Sequence, residues 1–194
     1  SDLPLVTDNS QCVRYLGVLV DQHLAFKEQV GKVVADVNRK LAAFRRIRHH
    51  ITTQAQRSFY LSIIQSTMEY ASNCYVHTIS ATLYNTLIRC FKRSLRITFG
   101  YPPCHPTATI CQRHKIIPVA IRYNLKIFCL VYKCVHGRRS PLLAELFVLR
   151  SNSNHTNALT RGQSALALAL PNASSRYGFY ALPYLAADRW NSLP

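Results

Sequence analysis

The sequence predicts a mainly α-helical protein, a helical bundle preceded by a short β-hairpin and followed by an irregular C-terminal tail. Two observations support this fold class. After residue 23, apolar residues recur every three or four positions through long stretches, which places them on one face of a helix. Residues 12–20 are instead β-branched and apolar, as in a strand, and we expect them to pair with residues 3–7. Gly17 inside this segment indicates a bend or a close approach by another part of the backbone.

Composition narrows the class of partner. The 194 residues are 48% hydrophobic, enough to bury a core, and 24 Lys and Arg against 8 Asp and Glu give a net charge of +16. A domain this basic usually faces a polyanion. Nucleic acid is the first candidate and an anionic membrane surface the second, while a merely soluble or ribosomal-type basic protein is the plain alternative.

The cysteines and the first residues of the sequence allow a prediction of the cellular compartment. Seven cysteines show no spacing typical of a disulfide framework, which fits a reducing environment. The first residues do not resemble a signal peptide, and no stretch of about 18 residues is free of both charged and strongly polar side chains. We therefore expect a nuclear or cytoplasmic protein that is not secreted and has no membrane partner.

The first predicted helix spans residues 24–49. Lys32, Arg39 and Arg46 are seven residues apart and form a stripe almost opposite its apolar face. For this helix alone, a solvated outer face is as good an explanation as binding. Its predicted core residues are Phe26, Val30, Val33, Val37, Leu41 and Phe44.

Two further helices follow. Residues 53–71 begin with capping-box spacing at Thr53 and Gln56, and their predicted core residues are Phe59, Ile63, Ile64 and Met68. Residues 80–99 end before Gly100, with Leu83, Leu87, Cys90, Ser94 and Ile97 on one side. The other side carries like charges at spacings that repel one another, so an anionic partner explains them better than solvation does: Arg89, Lys92, Arg93 and Arg96.

The second half of the chain is less regular. Residues 118–135 are apolar over most of a helix's circumference, so we expect that helix to be mostly buried; its predicted core residues are Ile121, Leu125, Phe128, Val131, Tyr132 and Val135. A short helix is predicted at 141–149 and a polar loop at 150–163. Residues 164–194 are ambiguous, and within them the alanine–leucine segment at 165–171 is compatible with a short strand or a helical turn.

The sequence offers no set of catalytic residues. Two-metal nucleotidyl transfer needs clustered carboxylates, and no two acidic residues are adjacent. The residue types of Cys104, His105, Cys111 and His114 can bind zinc, but their spacing matches no common zinc motif. We therefore predict no metal site, no cofactor and no catalytic residue in this chain.

Several segments, in order, resemble the C-terminal part of reverse transcriptases from non-LTR retrotransposons of the LINE type, jockey-like in kind. Arg14-Tyr15-Leu16-Gly17-Val18 resembles the (K/R)YLG(V/I) segment that follows the palm domain in that family. Residues 60–70, 87–100 and 115–137 resemble its later helices, although Ile116 replaces a tryptophan. The ending Asp188-Arg189-Trp190-Asn191-Ser192-Leu193-Pro194 is similar to its closing WN.LP pattern.

This resemblance implies a thumb-like bundle that grips a template–primer duplex of RNA and DNA. It implies a hairpin from the palm–thumb junction at 1–22, a basic three-helix bundle at 23–100, a further helical region at 101–150 and the family's loop and tail at 151–194. The catalytic palm, which would need Mg²⁺, is the other implied partner. The chain would then be a fragment of an RNA-directed DNA polymerase, inactive alone. Tyr15, Leu16 and Gly17 would lie on the primer side, and the expected phosphate contacts are Lys32, Arg39, Arg46, Arg89, Lys92, Arg93 and Arg96.

Other classes of function remain open at this point. The chain is also compatible with a stand-alone nucleic-acid-binding or scaffolding module adopted by a host, or with a decayed remnant. A membrane-surface protein with amphipathic basic helices is a further alternative.

Overall fold

A computed structural model describes residues 12–138, 141–150, 167–175, 178–179 and 181–193. It confirms a mainly helical chain with an antiparallel two-stranded hairpin near the N-terminus. The strands are β1 (Val13–Tyr15) and β2 (Val18–Val20). The helices are α1 (Lys27–Ile47), continued by a 3₁₀ turn (Arg48–His50), α2 (Thr53–Phe59), a π-helical segment (Tyr60–Gln65), α3 (Ser66–Glu69), α4 (Ser72–Tyr75), α5 (Ala81–Phe99), α6 (Thr107–Arg113), α7 (Val119–Val135), α8 (Pro141–Ala144) and α9 (Leu182–Asn191).

The hairpin lies entirely within residues 12–20, so the prediction of a single strand there was wrong. Val13 pairs with Val20 and Tyr15 with Val18. Leu16 and Gly17 form the two-residue turn, with φ angles of 45° and 85°, and such tight turns need left-handed backbone at both positions. The bend expected at Gly17 is confirmed, whereas its expected partner, residues 3–7, lies outside the described residues.

Helix α1 begins three residues later than predicted because an aspartate holds the preceding turn. The carboxylate of Asp21 accepts hydrogen bonds from the backbone N–H groups of Ala25 and Phe26, at 2.9 and 2.6 Å. Phe26 takes up a left-handed φ of 54° before the first helical residue. The predicted apolar face is confirmed, since all six of its residues are buried: Phe26, Val30, Val33, Val37, Leu41 and Phe44.

Gly31 is the fifth residue of α1, and a Cβ atom built on it would meet nothing within 4 Å. We expect Gly31→Ala to raise the free energy of unfolding by about 0.5–1 kcal/mol, because glycine loses more backbone entropy in a helix. Urea denaturation followed by circular dichroism measures this. Gly100→Ala is the contrasting variant and should lower stability, because Gly100 has a φ of 76°; a fall in stability for Gly31→Ala would contradict the explanation.

Residues 53–71, predicted as a single helix, contain a π-helical segment between the two α-helices α2 and α3. Its N-cap is Thr52 rather than Thr53, with the Thr52 hydroxyl accepting from Ala55 N at 3.3 Å. The π-helical segment contains one wider turn, which rotates the residues after it relative to a regular α-helix. As a result Tyr60 and Ile64 are fully buried, whereas Ile63 is exposed. The prediction of Ile63 as a core residue was therefore wrong.

Helix α5 has the predicted limits. The Ser80 hydroxyl accepts from Leu83 N at 3.4 Å, and Gly100 ends the helix in the left-handed conformation. Leu83 and Ile97 are only half-buried. The buried side of α5 is Leu87, Cys90, Phe91, Ser94, Leu95 and Thr98, so it is centred further round the helix than predicted.

Helix α7 buries a different face from the predicted one. Ile121 and Leu125 are 51% and 40% exposed, and Tyr132 is exposed too, so the prediction of a mostly buried helix was wrong. The buried residues are Val119, Tyr123, Ile127, Val131 and Cys134. Apolar residues flank both sides of the narrow polar stripe, and periodicity alone cannot decide which side packs inward.

The chain forms two compact units, Ser1–Arg122 and Tyr123–Pro194. In the first unit α1 packs against both α3 and α5. Its fully buried side chains include Val37, Tyr60, Ile64, Tyr75, Leu87, Leu95 and Ile110. The domain divisions after residues 22, 100 and 150 remain predictions.

The second unit has its own small core, formed by Ile127, Val131, Cys134, Phe147, Leu168, Leu185, Ala186 and Ala187. Leu149 and Leu168 form an antiparallel bridge, so the described part of the alanine–leucine segment is extended. The side-chain amide of Asn191 accepts from Leu168 N at 2.8 Å and donates to Leu168 O at 2.9 Å. Helix α9, absent from the predicted irregular tail, thereby holds this segment in place.

Candidate nucleic-acid interface

Helices α1 and α5 run side by side in the same direction. Near their C-terminal ends the Arg48 guanidinium donates to Ile97 O at 2.9 Å. About two to four turns earlier, Val34 and Asn38 of α1 lie across from Thr86 and Cys90 of α5. Residue numbers therefore increase in the same direction along both helices. This parallel arrangement brings the basic second half of α5 next to α1.

An open groove of about 190 Å³ separates the two helices along part of this contact. We call it the α1–α5 groove; it is lined by Val34, Asn38, Thr86, Arg89, Cys90 and Arg93. The four residues on its walls other than arginine are short, so the two helices do not fill the space between them. None of the lining residues is acidic.

Arg89 and Arg93 supply the charge of this groove. Both side chains are exposed, and they are one helical turn apart, about 6 Å along the axis. Within the described ranges neither makes a hydrogen bond or an ion pair. The only charged groups lining the groove are thus two guanidinium groups with no carboxylate partner, an arrangement typical of a surface that attracts anions.

The other two predicted phosphate contacts on α5 lie outside the groove lining. Arg96 is half-buried, and its Nε donates to the backbone oxygen of His105 at 3.0 Å. It therefore fastens the loop after α5 to the helix. Lys92 is exposed, with no hydrogen bond to the portion of the chain for which the structure gives positions.

On α1, the stripe of Lys32, Arg39 and Arg46 has three different environments. Lys32 is half-buried and donates from Nζ to Gly17 O at 2.8 Å, which attaches the hairpin to the helix. Arg39 forms an ion pair with Asp36 at 2.9 Å, but its side chain is 79% exposed, and such a surface pair is weak. Arg46 is exposed. Of the three, Lys32 is used by the fold, which the sequence pattern did not indicate.

The hairpin turn is fixed through its backbone. Leu16 O accepts from the Tyr70 hydroxyl at 2.6 Å, and a Cβ atom on Gly17 would lie 3.5 Å from the Tyr70 ring. The side chains of Tyr15 and Leu16 are 68% and 75% exposed. The predicted site residues Tyr15, Leu16 and Gly17 thus form a rigidly held turn with two accessible apolar side chains.

Sequence reasoning missed two residues that line the α1–α5 groove and one basic residue on the same side of α1. Asn38 and Thr86 are uncharged, so a search for basic stripes does not find them. Arg45 is exposed and lies seven residues after Asn38, which puts it on the same side of α1. That heptad spacing was a signal in the sequence, but it becomes informative only when α5 is known to lie on that side.

Among the four residues considered for zinc, His114 packs in a group of aromatic side chains. The described parts of the chain contain no group of three or more His, Cys, Asp or Glu residues placed to hold a metal ion. The His114 ring stacks on Phe99 at 3.8 Å between centroids and lies 3.3 Å from the Tyr101 hydroxyl. Burial, with the neighbouring charges of Arg113 and Arg57, lowers the pKa of His114. This imidazole therefore belongs to an aromatic cluster at the end of α5.

No protein-family model, no curated protein and no solved structure matches this chain. Among the helices that the structure describes, none combines the length and the apolar character needed to cross a membrane. The likeness to LINE-type reverse transcriptases therefore rests on the sequence segments alone, and the case for an anion-binding surface rests on the geometry of α1 and α5.

Proposed function

We propose that this chain binds nucleic acid through the α1–α5 groove and the exposed basic residues of these two helices, as the thumb region of a LINE-type reverse transcriptase. The observation that carries the binding proposal is the pair Arg89 and Arg93, exposed beside a groove whose lining has no carboxylate. The reverse transcriptase part of the proposal rests on the resemblance of the hairpin, helix and tail segments. Its partners would be RNA and DNA, in the nucleus or cytoplasm, and Mg²⁺ would belong to the palm.

The chemistry suits a phosphate backbone better than a specific base sequence. A guanidinium group presents parallel N–H donors that match two oxygens of one phosphate. Each neutralised phosphate releases condensed counterions, so affinity falls steeply with salt. Contacts to the phosphate backbone carry no sequence information, and we therefore expect affinity to be nearly independent of sequence.

The test is the salt dependence of binding to a short labelled DNA duplex and to the corresponding RNA–DNA hybrid. Because each phosphate contact contributes about 0.9 to the log–log slope, Arg89→Ala/Arg93→Ala should flatten the slope by about 2. The matched control, Arg113→Ala/Lys133→Ala, removes two exposed charges from outside the predicted site and should change the slope less.

Equal slopes for the two double variants would mean that only net charge matters and would remove α5 from the interface. Binding to anionic vesicles that is stronger than binding to either duplex, and equally sensitive to Arg89 and Arg93, would instead favour a membrane-surface protein.

A further inference from the structure

We infer that the α1–α5 groove is a discrete subsite that receives one phosphodiester group of a nucleic-acid strand, held between Arg89 and Arg93 with Asn38 opposite. This inference rests on the proposed function and makes it more specific. The proposed function requires only that a basic surface attracts phosphates. This inference adds that one phosphate binds at a defined position inside the groove.

The lining of the groove supports a shaped site. Arg89 and Arg93 occupy one wall, and the amide of Asn38 belongs to the other, about one helix–helix spacing away. Asn38 is half-buried, and it makes no hydrogen bond within the residues that the structure describes. An amide can donate to a phosphate oxygen without adding charge. Asn38 would therefore orient the bound phosphate but would not attract it over a long distance.

The size of the groove also fits. Its volume of about 190 Å³ exceeds that of a single water, which takes up about 30 Å³ in the liquid. A phosphate group with a few bridging waters therefore fits. The strand would run along the surface and insert only its phosphate.

Thr86 lines the groove on the α5 side. Its hydroxyl donates to Thr82 O at 2.9 Å, so the hydroxyl hydrogen is used within the helix. The short side chain contributes open space, and a larger side chain there would fill the groove without changing the charge of the protein.

The decisive experiment compares Thr86→Phe with Asn85→Phe in the full chain, with a short labelled DNA duplex as the probe. Asn85 is the exposed neighbour of Thr86 and does not line the groove. Loss of a charge-assisted hydrogen bond to phosphate weakens binding about tenfold. We expect that loss for Thr86→Phe and a change under about twofold for Asn85→Phe, with urea denaturation confirming that both variants fold.

A second variant does not depend on added bulk. Asn38→Leu keeps the side-chain size but removes the neutral donor, so affinity should fall about fivefold while the salt slope stays unchanged. The inference is overturned if Thr86→Phe and Asn85→Phe bind alike and Asn38→Leu binds like wild type. In that case a flattened slope for Arg89→Ala/Arg93→Ala would still support the proposed function, whereas failure of wild type to bind any duplex would overturn both.

Discussion

Replacing Arg122 by methionine is expected to lower the free energy of unfolding by about 3 kcal/mol. Arg122 donates from Nη2 to Glu69 Oε2 at 3.1 Å and from Nε to Glu69 Oε1. Glu69 is only 7% exposed. Removing the arginine leaves a buried carboxylate without its counter-charge, and that costs far more than the loss of a surface ion pair.

Two further variants, compared by urea denaturation, test whether the loss of the Arg122 charge is the cause of the destabilisation. Arg122→Lys keeps the positive charge but loses the two-pronged geometry, so its loss should be smaller. In Glu69→Leu/Arg122→Met no charge stays buried, and the double variant should be more stable than Arg122→Met alone. A double variant that is less stable than the single one would show that the pair stabilises the fold by more than mutual neutralisation.

Leu87→Ala is expected to cost a similar amount, about 3 kcal/mol, through a cavity in the core of the first unit. Leu87 has no exposed surface and lies on the buried side of α5. Leu83→Ala is the matched control, because Leu83 is on the same helix but only half-buried, and its cost should be smaller. The comparison is made by thermal or urea unfolding, and equal losses would contradict the burial found for Leu87.

The Leu87 variant also connects the fold to the groove. Leu87 lies one turn before Cys90 and Phe91 on the buried side of the helix that carries Arg89 and Arg93. A looser α5 should hold those arginines less firmly. At temperatures where Leu87→Ala is folded, we therefore expect duplex affinity to fall modestly while the salt slope stays unchanged.

Where local sequence dominates, prediction succeeded. The limits of α5 follow from Ser80 and Gly100, which satisfy the helix ends by themselves. The buried face of α1 follows from a regular spacing of apolar residues with a charged side opposite. Both depend on contacts within one or two helical turns, and these can be recognised without knowing the rest of the chain.

Features that depend on packing between two separate segments could not be predicted from the sequence. Helix α7 offers apolar residues on both sides of its polar stripe, and only packing chooses Tyr123 and Ile127 over Ile121 and Leu125. The π-helical turn replaced Ile63 by Tyr60 in the core, while Ile64 is buried as predicted. Helix α9 was missed because its role depends on the contact between Asn191 and Leu168, which are far apart in the chain.

The sequence by itself determined the charge of this protein, its helical class and which residues of α1 and α5 are basic. Only the tertiary structure decided which of those residues remain available. Lys32 and Arg96 are engaged by the backbone oxygens of Gly17 and His105, whereas Arg89 and Arg93 line a groove. The physical reason is that helix periodicity is a local property, while a groove exists only where short side chains from two distant segments face each other and leave space.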